Sequence, residues 1–214
     1  MTTSNHAATD VGALAALVRQ EQEFDVLCAA LEALAAQEEA TAAREPLLAL
    51  ADHPSFSIRW RVAAALRAAH GGDARVDDAL VALAGDPRPI VRLEAVDALA
   101  LLPPPRPAAV DEALRVACGD DDERTVVSAI VGLARARAAL PTGPLARVLA
   151  PARMVLVPAG AAERLLIALA HAGRPEAHEP LHELARRWTP RDPGAAQALS
   201  AAVVACAPAD AAAR

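Results

Sequence analysis

DHPSFSIRWRVAAAL, residues 52–66, is answered a little further on by DPRPIVRLEAVDAL, residues 86–99. Both open on an Asp with a proline close behind, and both set an Ile or Val next to an Arg a few residues later. Both close on Ala-Leu. Taking the closing leucine as a mark and reading outward gives Leu66, Leu99, Leu133 and Leu169, at intervals of 33, 34 and 36 residues. A fixed period of this size marks helix pairs that cannot bury their apolar faces alone and must stack side by side. The expected fold is therefore all-α, an α-solenoid of about six helical hairpins.

The rest of the chain repeats the same grammar with variations. Val11–Gln22 and Phe24–Gln37 read as a first pair, capped by Asp10. Glu45-Pro46 starts a helix, since proline is tolerated in a first turn where its missing N–H has no role. The turn Asp52–Ser55 leads into Ile58–Ala69, stopped by Gly71-Gly72, glycine being usual beyond a helix C-terminus. VDDALVALAG, Asp86-Pro87 and Ile90–Leu102 make the third pair, and Pro103-Pro104-Pro105 cannot continue the helix. AAVDEALRVAC, Asp120–Asp122 and Thr125–Arg137 form a fourth pair. A fifth is irregular over 144–162, broken by prolines, before Ala161–Ala172. EPLHELARRW and Gly194–Ala207 complete the sixth. Residues 1–9 and 208–214 read as tails around a single domain over 10–207.

Composition fits this scheme. Apolar residues make up 54% of the 214 and aromatics only 2%, so the core must be built from Ala, Leu and Val. Alanine is the best helix former. All 21 basic residues are arginine and there is no tyrosine. Schiff-base and phosphate-loop lysines and a tyrosine acid/base are thereby excluded. The net charge of −6 speaks against nucleic acid, whose binders neutralise phosphates with clustered cations. Cys28, Cys118 and Cys206 are odd in number and far apart, which suits buried thiols in a reducing compartment. No signal-peptide pattern opens the chain and no apolar run reaches membrane-spanning length. A cytoplasmic location is expected, with no membrane partner.

Residues 52–66 and 86–99 resemble HEAT repeats of the phycobilisome-lyase-like type. Asp52, Ile58, Arg59, Val62, Ala65 and Leu66 carry the pattern in one, and Asp86, Val91, Arg92, Ala95, Ala98 and Leu99 in the other. The next copy keeps Asp121, Ala129 and Leu133 but has Val126 where the arginine belongs. The resemblance covers about 45–138 and implies that Arg59 and Arg92 tie neighbouring repeats together as a ladder.

Four local patterns invite a catalytic or metal reading. His178-Glu179-Pro180-Leu181-His182 satisfies the zinc-protease string, with two imidazoles four residues apart. The proline argues for a helix starting near Glu179 and leaving His178 outside it, and no third ligand stands at a suitable spacing. His178 and His182 therefore remain weak metal candidates, and no metal or cofactor is expected. His-Glu pairs like those of HEAT-fold di-iron hydroxylases occur here on one helix only. The acidic run at 120–123 lacks the alternating ligands of a calcium loop and suits helix capping. DNA glycosylases of HEAT-like fold would need a basic, aromatic face that this chain lacks, and no glycine-flanked elbow surrounds any serine.

Aligning the second helices on their leucines leaves outward slots holding Trp60, Leu93, Val127 and Glu163, then Ala64, Asp97, Val131 and Ile167. A solvated face would be mainly polar there. An apolar stripe through Trp60, Leu93, Val127, Val131 and Ile167, with Arg61 beside its tryptophan, is thus a candidate partner-binding groove on the concave face, ordinary core being the alternative. The irregular fifth repeat is a second candidate. The expected function is a non-catalytic scaffold holding a protein or peptide, acting as a subunit of a larger complex. The alternative is an enzyme or enzyme accessory, either a lyase-like chromophore handler or a degenerate metal or base-excision enzyme.

Overall fold

The computed structural model describes residues 10–20, 23–70 and 72–208. It is an all-α solenoid, with no strand among those residues. By packing, the chain divides into two compact units, Met1–Ala98 and Leu99–Arg214, the division falling inside one helix. The tails read at 1–9 and 208–214 lie outside the described residues, Pro208 excepted, as does Gly71.

In the first unit, α1 (Val11–Gln20) pairs with α2 (Phe24–Ala35), and α3 (Arg44–Ala49) with α4 (Phe56–Ala69). Helix α5 (Ala74–Leu83) comes next, then α6 (Pro89–Leu101), whose last turn belongs to the second unit. Helices α1, α3 and α5 stack as one layer, with α2 against α4 as the other. Leu31, Leu34, Leu47, Ile58, Leu66 and Leu80 are fully buried between them. Alanines fill the seam, and their small side chains let the helices approach closely; Ala63, Ala65 and Ala69 of α4 are wholly inaccessible.

In the second unit, α7 (Ala108–Ala117) pairs with α8 (Glu123–Arg135). The fifth repeat supplies α9 (Thr142–Val148), the single turn α10 (Pro151–Met154) and α11 (Ala159–Ala172). The sixth supplies α12 (His178–Arg187) and α13 (Pro193–Ala205). Helices α8, α11 and α13 pack in sequence as one layer. Register leucines Leu66, Leu99, Leu133 and Leu169 are all at zero exposure.

Helix ends obey local chemistry. Asp73, Asp122 and Asp192 each accept a hydrogen bond from a first-turn amide, on Arg75, Arg124 and Ala195 respectively. These side chains satisfy donors that the helix leaves orphaned. The acidic run at 120–123 is thus a cap, as its composition suggests. Helix α6 stops at Leu101, two residues before the three prolines. Gly173 closes α11 in a left-handed conformation (φ +60°), its N–H reaching the Leu169 carbonyl at 3.1 Å.

The start of α12 corrects one expectation. His178 is its first residue, preceded by a 3-10 turn over Pro175–Ala177. The equivalent α3 has the same design, a 3-10 turn over Thr41–Ala43 and then Arg44-Glu45-Pro46. Proline at the third helical position still falls among the amides without an intrahelical acceptor, so the helix begins upstream of it at no cost.

Candidate functional site

The two signature arginines are structural, and Arg59 forms a rung between repeats. Arg59 Nε and Nη2 donate to the two Asp86 carboxylate oxygens at 2.6 and 3.1 Å, joining one repeat to the turn of the next. Its Nη1 donates to the carbonyls of His53 and Pro54 in its own turn. Arg92 Nη1 does the same with Asp86 and Pro87. Burial opposes ionisation of Asp86, but the Arg59 guanidinium and the Arg88 amide outweigh it and hold the carboxyl below its usual range. Asp86 raises the Arg59 pKa in return.

The turn acceptor is the expected Asp86 in one repeat, and in its two neighbours lies one residue from the aspartate that the sequence suggests, at Asp120 instead of Asp121 and at His53 instead of Asp52. Asp86 accepts the amide of Arg88, two residues on, at 2.8 Å, and Asp120 accepts that of Asp122 at 2.8 Å. In the earlier repeat His53, not Asp52, takes this role, its Nδ1 accepting the Ser55 amide at 3.1 Å. A turn needs an acceptor on a short side chain here, and neutral imidazole supplies one as well as carboxylate.

A second set of arginines escaped the sequence reading. Arg44 donates to the carbonyls of Ala69 and His70, closing the C-terminus of α4. Arg106, its side chain 3% exposed, donates to the Gly132 carbonyl and to Asp111. Arg174 donates to the carbonyls of Arg137 and Ala138. Arg44 and Arg106 each lie at or just before the first helix of a repeat and put a cation on the carbonyl-rich end of that repeat's second helix, whereas Arg174, just before α12, reaches back to the loop that follows α8. That position was the available signal.

The outward stripe splits between surface and core. Trp60 is half-buried and Arg61 stacks over its ring at 4.2 Å while donating to Glu32 of α2 at 2.7 Å. Leu93 and Val127, at 8% and 3% exposure, are core. Helical spacing fixes direction relative to a residue's own helix; it does not say how far neighbouring elements extend over that side. Val131 is half-buried and Ile167 is 40% exposed, on helices α8 and α11 that pack together.

The fifth repeat opens a groove. Its short helices leave a cleft of about 520 Å³ against α12, lined by Leu149, Ala150 and Pro151 on one side and Glu179, Pro180 and His182 on the other. Beyond the single turn of α10, Val155 and Leu156 are 71% and 72% exposed. The His178 and His182 rings stand 6.0 Å apart, centre to centre, on one face of α12. Among the described residues no group of three or more His, Cys, Asp or Glu side chains is placed to hold a metal ion. No helix among them is long and apolar enough to cross a membrane.

The three thiols are free and buried. Burial pushes Cys118 up to about 12 and raises Cys28 and Cys206 as well. A thiolate is the reactive form, so these cysteines are chemically quiet.

The chain is similar in fold to several solved structures. An engineered protein superposes with a TM-score of 0.62 at 18% identity, over 92% of this chain and 96% of its own. The Escherichia coli protein YibA gives 0.60 at 16%, over 90% and 67%. A designed armadillo repeat protein, solved in complex with the peptide (KR)4, gives 0.64 at 18%, over 92% and 100%. No curated protein matches the sequence. Residues 11–100, which contain the Arg59–Asp86 rung, match the family model for HEAT repeats.

Proposed function

We propose that this protein is a non-catalytic interaction scaffold that holds a protein or peptide segment, working in the cytoplasm as a subunit of a larger complex. One observation carries the reading. At the repeat that departs from the grammar of the others, a groove of about 520 Å³ stands open against α12, and a few residues further along the chain Val155 and Leu156 are both more than 70% exposed. Neighbouring large apolar side chains left exposed mark a contact surface, and departures from a repeat pattern are where a regular array carries its function. The designed armadillo neighbour, solved with a bound peptide, supports the same use of this architecture. Trp60 with Arg61 in the first unit, and Val131 with Ile167 in the second, are further contact surfaces under this reading. Tryptophan and arginine are the side chains that most often anchor an interface.

The test is site-specific photo-crosslinking from position 156 in the source cell, repeated with Ala152→Asp/Val155→Asp beside the same crosslinker. The scaffold reading expects a discrete crosslinked partner that the double variant loses, with melting temperature unchanged within about 1 °C, since exposed sites contribute little to stability. Absence of any crosslinked species, or capture indifferent to the substitutions, overturns it.

A further inference from the structure

The charge of this protein is unevenly placed. Met1–Ala98 carries 15 acidic residues and 8 arginines, whereas Leu99–Arg214 carries 12 and 13. The whole of the negative balance therefore belongs to the first unit, the second being net positive by one. On α2, exposed Asp25, Ala29 and Glu32 are spaced four and three residues apart and so share one face. The Arg61–Glu32 bond shows that this face adjoins the Trp60 side of α4.

A tryptophan ring attracts cations more strongly than the other aromatic side chains. Here the chain has already set a guanidinium over that ring, at 4.2 Å, and anchored it through a carboxylate on the neighbouring helix. Cation, indole and carboxylate thus coexist within one face. Resting on the scaffold reading, we infer that the α2–α4 face of the first unit docks an arginine- or lysine-bearing segment of a partner protein. The Asp25 carboxylate and the Glu32 oxygen not engaged by Arg61 receive its cations, and the stem of one of them packs beside Arg61 against the part of the Trp60 ring left exposed. Charge complementarity selects this occupant. A unit with seven more acids than bases repels phosphate backbones and anionic membranes while drawing basic chains toward it.

The experiment uses the full chain carrying Trp188→Phe, which leaves Trp60 as the sole tryptophan. Octa-arginine and octa-glutamate are titrated while Trp60 emission is followed, at low and at physiological salt. The expected result is a saturable change in emission with octa-arginine alone, weakening with salt as the carboxylates are screened. Asp25→Asn/Glu32→Gln should weaken it about tenfold, a loss of about 1.4 kcal/mol. Glu39→Gln/Asp78→Asn, an equal change of charge elsewhere on the unit, should weaken it by less than about twofold. An unchanged Trp60 emission, or equal weakening by the two double variants, overturns the proposal. Crosslinking from position 156 that still captures a partner in that case leaves the scaffold reading standing while this one falls.

Discussion

Arg59 and Asp86 form a two-pronged ion pair between successive repeats, with side chains only 15% and 6% exposed. The planar guanidinium fork matches the carboxylate, and its remaining N–H groups are taken up by two turn carbonyls. No charge in the pair is left without a partner, which is the condition under which a buried pair is tolerated.

Removing one member leaves the other buried and unmatched. Asp86→Asn is expected to lower stability by about 3 kcal/mol, measured by urea unfolding, with an unchanged dependence on denaturant concentration. The pH response takes its sign from the direction of the shift. The folded-state pKa of Asp86 is depressed, so its contribution is fully present above the ordinary carboxylate range near pH 4 and drains away as pH falls below it. Asp73, held at about 2 by the side chain and amide of Arg75, adds to the same acid loss. The wild-type chain should lose stability on acidification below about pH 4, and Asp86→Asn should show a shallower loss there.

Cys118 offers a probe of folding. Its thiol is wholly buried and raised to about 12, so almost no thiolate exists at neutral pH. Native protein should react with an aromatic disulfide reagent only as fast as it opens, and all three cysteines should react promptly in denaturant. Fast labelling of Cys118 in buffer would contradict the burial.

Most of the fold was readable because its signals are local. Alanine and leucine at helical spacing, a Pro or Asp at a start and a Pro or Gly at a stop state each helix within its own residues. Leu66 and Leu99 mark equivalent core positions because every repeat uses the same seam. Equivalence of function was harder to read than equivalence of letters. His53 performs the turn bond that Asp86 performs, yet imidazole and carboxylate look unrelated in a sequence. The Arg44, Arg106 and Arg174 bonds join residues 25 to 37 positions apart, a distance over which spacing alone carries no contact information. The groove at the fifth repeat was visible only as a loss of pattern.

Val127 separates a surface from a seam. At 3% exposure it belongs to the core, so Val127→Asp should bury an unpaired charge and cost more than about 3 kcal/mol. Leu93→Asp should behave alike, whereas Ile167→Asp, at a 40% exposed site, should leave the melting curve nearly unchanged. Calorimetry on the three variants decides whether the apolar slots of α6 and α8 are available to a partner. A Val127→Asp chain that melts like the wild type would return that position to the surface.

Gly132 and Gly160 should respond in opposite ways to the same substitution. Alanine is favoured over glycine inside a helix by about 1 kcal/mol, so intrinsic propensity predicts a gain at both. At Gly160, early in α11, a Cβ would meet nothing within 4 Å, and Gly160→Ala should realise up to that gain. At Gly132, in the middle of α8, a Cβ would stand 2.8 Å from Ala100 Cα and 2.9 Å from Leu114 Cδ1. The leucine end can shift, but the backbone of Ala100 cannot yield without moving the last turn of α6. The Gly132 carbonyl also accepts from Arg106, which pins α8 in place and denies it room to slide away. Overpacking of this kind costs about 1–3 kcal/mol, so the net effect of Gly132→Ala is destabilising. Thermal unfolding of the pair measures this directly, and a stabilised Gly132→Ala would show that α8 and the end of α6 are not held at the distance that makes glycine necessary.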